Sequence, residues 1–72
     1  MQDVVVGDVV AVGGKTFRVD EICTDGLVSG PEVLVHRSNG RPKVAEMSAP
    51  TYFHGYDPGA LELVCGSRQT EA

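Results

Sequence analysis

The chain has no tryptophan, two phenylalanines, two tyrosines and two cysteines among 72 residues. With so few rings, any core is built mainly from small branched side chains around one or two aromatics. Two cysteines, Cys23 and Cys65, are too few for the disulfide scaffold of a small secreted domain, and they read as reduced thiols on strands. No apolar run approaches the ~20 residues of a membrane span. The opening "MQDVVVGDVV" has neither a charged n-region nor a long apolar h-region, so no signal peptide is expected and the chain reads as cytoplasmic. There is no room for a second core. At roughly 0.05–0.15 kcal/mol per residue the fold has about 4–11 kcal/mol in hand, which leaves little for a strained catalytic pocket. A binding module or subunit is the better expectation.

Cations are scarce too. Six lysines and arginines face ten acids, a formal charge of −4. A general nucleic-acid binder is usually basic, because it must neutralise phosphates. The average hides one contrast: "HRSNGRPK", residues 36–43, holds His36, Arg37, Arg41 and Lys43 and no acid.

Helices find no room. The longest stretch free of glycine and proline is "KTFRVDEICTD", residues 15–25, and its apolar positions alternate and then slip by one instead of recurring at helical spacing. Seventeen residues are valine, isoleucine or threonine, whose branching at Cβ favours pleated strands. The expected class is therefore all-β, with five strands. These are 5–12, turning at Gly13-Gly14; 15–22, with a bulge or bend between Val19 and Ile22; 32–37, after a crossover with a turn at Asp25-Gly26; 43–47, across an Asn39-Gly40 hairpin turn; and 60–64, after a short 3-10 turn at Asp57-Pro58-Gly59. Pro42 removes a donor, which suits an edge. "SRQTEA", residues 67–72, reads as a polar tail.

Closing such strands into a barrel would protect their edges. "VGDVVAVGGKTFRVDEI", "EVLVHRSNGRPKVAEM" and the "DPGA" turn into "LELV" resemble the SH3-like small barrels in their Tudor and KOW-like arrangement. That resemblance covers about residues 5–65 and implies a small five-stranded barrel that serves as a binding module; the expected domain is 1–66. In size and style the chain also resembles small phage- or mobile-element-encoded proteins.

Motifs for chemistry are incomplete. "GGKT", residues 13–16, lacks the P-loop glycine five positions earlier, where Val9 stands, and is followed by a strand pattern. Cys23, His36, His54 and Cys65 are each more than ten positions apart, unlike the close ligand pairs of structural zinc sites. A Cys23–Cys65 disulfide is disfavoured by a reducing compartment. No elbow or oxyanion-hole signature sets a base beside a nucleophile. The expectation is no enzyme, no metal and no cofactor.

Contact surfaces are the remaining signal. "APTYFHGYDPG", residues 49–59, gathers three of the four aromatics between prolines and glycines. It reads as an aromatic loop, 51–57, in which Phe53 caps the core and Tyr52, His54 or Tyr56 is exposed as an interface anchor. The Tyr52, Tyr56 and Asp57 set resembles part of the aromatic cage that Tudor-like domains close around methylated cations. The expected partner-binding set is Tyr52, Phe53, His54 and Tyr56 with Arg37, Arg41 and Lys43, engaging a partner protein as an adaptor or inhibitor. The alternative is nucleic acid or a nucleotide-like anion at the basic hairpin, which the KOW-like resemblance implies. Self-association is compatible with either.

Overall fold

In a computed structural model, residues 4–66 are described; the expected tail, 67–72, lies outside the described residues. They form β1 (Val9–Val12), β2 (Lys15–Arg18), β3 (Glu21–Ile22), β4 (Val28–Pro31), β5 (Val33–Ser38), β6 (Arg41–Glu46), β7 (Tyr52–Tyr56) and β8 (Glu62–Cys65), with one 3-10 turn at Pro58–Ala60. The fold is all-β. No helix among the described residues is long and apolar enough to cross a membrane.

Three antiparallel sheets result, ordered β2-β1-β8, β3-β4-β7 and β5-β6. Among the described residues no ladder joins β8 to β7, so the sheets do not close into a hydrogen-bonded barrel. Two tight turns set the registers. Gly13 and Gly14 (φ 59° and 82°) close β1 onto β2, and Asn39 and Gly40 (φ 55° and 78°) close β5 onto β6. Positive φ at both central positions gives the turn a twist that matches its strands.

The eight strands lie on longer runs. Residues 15–22 bend between β2 and β3, at the expected place, and pass from one sheet to another, with Asp20 N–H donating to the Ser29 carbonyl. Residues 28–56 make one extended hairpin. Its pairing begins at Val28↔Tyr56 and runs through Pro31↔Tyr52 and the Glu32 N–H to Thr51 carbonyl bond. It then resumes from Val33↔Glu46 to Ser38↔Arg41. Residues 47–51 are an interruption on one side only.

Three expectations fail here. Residues 28–31, expected within a crossover, are the buried central strand of their sheet. Ser29, Gly30 and Pro31 look like turn formers, but each serves a strand. Gly30 lies so close to β2 that a Cβ would overlap the Arg18 carbonyl oxygen, so only glycine lets the backbones approach. Likewise the aromatic loop is not a loop: residues 52–56 are β7. The expected first strand is also shorter. Val5–Asp8 is a turn in which the buried Asp8 carboxylate accepts from Val5 N–H at 3.0 Å.

The core is Val10, Phe17, Val19, Val28, Phe53 and Leu61, with Tyr56, Val4 and Val12 packed against it. Phe17 and Phe53 stack at 4.8 Å, nearly parallel, and Tyr56 tilts against both at 5.7 Å. Three of the four rings thus hold the two larger sheets together.

Candidate functional site

A bulge decides which aromatics reach the surface. Val28 pairs with Tyr56 and Gly30 with Phe53, so His54 and Gly55 together oppose the single residue Ser29. Strict alternation would set Phe53 and Tyr56 on opposite faces. The extra residue, with Gly55 at φ 81°, turns both rings into the core. Phe53 and Tyr56 are therefore held in the core, and the face is left to Tyr52 and His54. With Tyr56 committed inward, the part-cage resemblance of Tyr52, Tyr56 and Asp57 has no open ring pair. Asp57 instead caps the 3-10 turn, accepting from Gly59 N–H at 2.9 Å.

Each exposed member of β7 is tied down. The Tyr52 hydroxyl donates to the Asp20 carboxylate at 2.7 Å. That bond first, then desolvation and the negative charge of Asp20 and Glu21, pushes the phenol up to about 12. His54 Nδ1 lies 3.2 Å from Ser29 Oγ, which also accepts from Gly55 N–H at 3.3 Å. The hydroxyl has one proton and two lone pairs, so it accepts from the amide and still has a proton or a lone pair for Nδ1, the direction being set by the imidazole tautomer. Ser29 is fully buried, and its hydroxyl clamps the bulge from beneath. This pair, absent from the expectations above, becomes visible only once the bulge register is known.

The hairpin β5–β6 is different in kind. Paired residues share a face, so Val33/Glu46, Val35/Val44 and Arg37/Pro42 lie on one side and Leu34/Ala45, His36/Lys43 and Ser38/Arg41 on the other. The first side is anchored: Val33 is buried, and Val35, Val44 and Pro42 are half-buried. Every residue of the second side is exposed, Leu34 at 47%. The structure therefore brings Arg41 and Lys43 together with His36 on one face and sets Arg37 on the opposite one. Leu34 and Ala45 extend that face with an apolar base. The expected site set omitted them, although the alternation of "VLVHRS" and "RPKVAE" about an Asn-Gly turn assigns both to it. A shallow depression at the tip is lined by Ser38, Asn39, Arg41, Pro42 and Lys43.

At the hairpin base, Thr16 Oγ1 donates to the Val33 carbonyl at 2.8 Å, and Arg18 pairs with Glu46 at 3.1 Å. The ion pair is solvent-exposed and contributes under about 1 kcal/mol. Tyr52 pairs with Pro31 and Arg41 with Ser38, seven residues further along the strand. At ~3.3 Å per residue the two groups are about 23 Å apart along the hairpin. The aromatic and basic halves of the expected set are thus two surfaces.

Cys23 and Cys65 are free thiols. Among the described residues, no three or more of the His, Cys, Asp and Glu side chains are grouped to hold a metal ion. No protein-family model matches the chain, and comparison with curated proteins and with solved structures finds no match.

Proposed function

We propose that this chain is a non-catalytic binding module of SH3-like architecture that contacts a partner protein through the exposed face of hairpin β5–β6. The architectural part is supported by the antiparallel succession of runs and the 3-10 turn before the last strand. The contact part is carried by one observation: a wholly exposed strand face that combines apolar Leu34 and Ala45 with cationic His36, Lys43 and Arg41. A rigid scaffold presenting such a face has the mixed character of an interface patch. Tyr52 and His54 form a second, smaller surface on the body.

The test is capture of partner from lysate by tagged chain after nuclease treatment, with two variants in parallel. Leu34→Asp with Lys43→Glu is expected to lose the retained protein, and Tyr52→Ala to keep it. The opposite pattern transfers the contact to β7 and refutes the hairpin assignment. A second reading, nucleic acid at the tip, is favoured by the depression between Arg41 and Lys43. It requires affinity that falls steeply between about 50 and 200 mM salt.

A further inference from the structure

The exposed face of β5–β6 has an order along it that restricts its occupant. From base to tip the cross-strand pairs are Leu34/Ala45, His36/Lys43 and Ser38/Arg41. Successive pairs are two residues apart, about 6.8 Å in an antiparallel strand. An apolar pair is followed by two levels bearing positive or titratable nitrogen groups, and no carboxylate shares the face. Glu46, the acid of this hairpin, lies on the other side and is engaged by Arg18. Among the described residues neither Arg41 nor Lys43 forms an ion pair with its own chain. Residues 33–46 carry three formal cations and one acid, whereas the rest of the chain carries three cations and nine acids.

We infer that this face takes an acidic, extended segment of a partner protein, with an apolar side chain seated on Leu34 and Ala45 and carboxylates at the second and fourth positions beyond it, against Lys43 and Arg41. The inference rests on the hairpin reading and adds the chemistry of the partner. Side chains make the contact, not strand addition: Pro42 removes a donor near the tip of the β6 edge and Lys43 charges it, and both features oppose pairing by another strand. Nucleic acid fits less well. The ring of the face is the small imidazole of His36, with no Phe, Tyr or Trp beside it to build a stacking platform, and Tyr52 lies about 23 Å away at the far end of the hairpin. The three formal cations of residues 33–46 leave few counterions to release. Across that distance, beyond the ~8–10 Å Debye length at physiological salt, the charge of the body is screened from the tip.

The experiment is fluorescence anisotropy on the full chain with two short labelled peptides of equal composition and one oligothymidylate of similar charge. The first peptide places glutamates at the second and fourth positions after a leucine; the second moves them to the first and third. The first peptide is expected to bind, the second several-fold more weakly and the oligothymidylate not measurably. Arg41→Glu with Lys43→Glu, checked for folding by circular dichroism, should weaken the first peptide by about two- to thirtyfold, the combined size of two exposed ion pairs. Equal binding of the two peptides overturns the spacing. Tighter binding of the oligothymidylate overturns the partner class, as does failure of both peptides. If both peptides fail while Leu34→Asp with Lys43→Glu still abolishes capture from lysate, the partner chemistry is wrong and the hairpin reading stands. If capture ignores those substitutions, the hairpin reading itself is wrong.

Discussion

The body and the β5–β6 hairpin are both antiparallel strands joined by tight positive-φ turns, yet they treat their apolar residues in opposite ways. In the body, alternation delivers Val10, Phe17, Val28 and Phe53 to one shared core. In the hairpin it buries Val33 and leaves Leu34 half exposed on the other side. An isolated two-stranded hairpin is marginal in water. This one holds because it continues the pairing of β4 with β7 and is fastened at its base by Thr16 and Arg18. The body holds the buried core, and the hairpin carries one face whose side chains are all exposed. In so small a chain, the face left over from packing is where function is best sought.

The body depends most on Phe17, which stacks on Phe53 and touches Tyr56. Phe17→Ala is expected to cost about 3–5 kcal/mol, the usual loss for a buried ring, in a fold with only ~4–11 kcal/mol available. Urea denaturation should show that loss, reaching complete unfolding where the parent lies at the low end of the range; a loss below ~1.5 kcal/mol would mean that the rings do not form the core. Next in size is Gly30→Ala. The added methyl meets the backbone carbonyl of Arg18, which cannot swing aside as a side chain would. The sheets must part locally, at about 1–3 kcal/mol. A neutral result in the same measurement would refute that close approach.

These two positions also divide what the sequence makes legible from what it does not. The turns at Gly13-Gly14 and Asn39-Gly40, the bend after Val19 and the 3-10 turn at Pro58 are written in local chemistry, and a reader of residues finds them. Phe17 is recognisable as core because it alternates with Val19. Residues 28–31 are not recognisable as a strand: Ser29, Gly30 and Pro31 have local preferences for turns, and their roles depend on partners far away in the chain. The same holds for β7. "YFHGY" looks like a loop because its glycine breaks the alternation, and only Ser29 opposite explains the break as a bulge. The charge of the 36–43 hairpin is plain in the sequence, but assigning Arg37 to one face and Arg41 with Lys43 to the other takes the register.

Tyr52 sharpens the comparison from the body side, since it is an exposed ring that the fold nonetheless engages. Its phenol, raised from 10 to about 12 mainly by the bond to Asp20, is protonated in the folded state over a range where the unfolded phenol ionises. A folded pKa above the unfolded one means the stabilisation is complete below pH ~10 and lost as pH rises toward ~12. Ultraviolet titration should show one tyrosine ionising near 12, and Tyr52→Phe should abolish that step. Asp20→Asn should move it downward, because both the carboxylate acceptor and its charge are gone. A step unmoved by Asp20→Asn would assign the shift to another cause.

The smallest effect on stability is expected at Leu34, and it tests the comparison most directly. Nearly half of this side chain is already in water, so truncating it to alanine exposes little new surface. Leu34→Ala should change unfolding free energy by less than about 0.5 kcal/mol, as surface substitutions usually do. A hairpin that serves only to display side chains tolerates that change with its pairing intact, and amide exchange at His36 and Lys43 should stay as slow as in the parent. A loss above ~1.5 kcal/mol would require Leu34 to be packed against something. Within one chain the exposed face offers no such neighbour, so the cost should then grow with protein concentration, as binding to a second copy dictates. A concentration-independent loss would instead mean that the hairpin lies folded against the body in solution, and the division between core and display would fail.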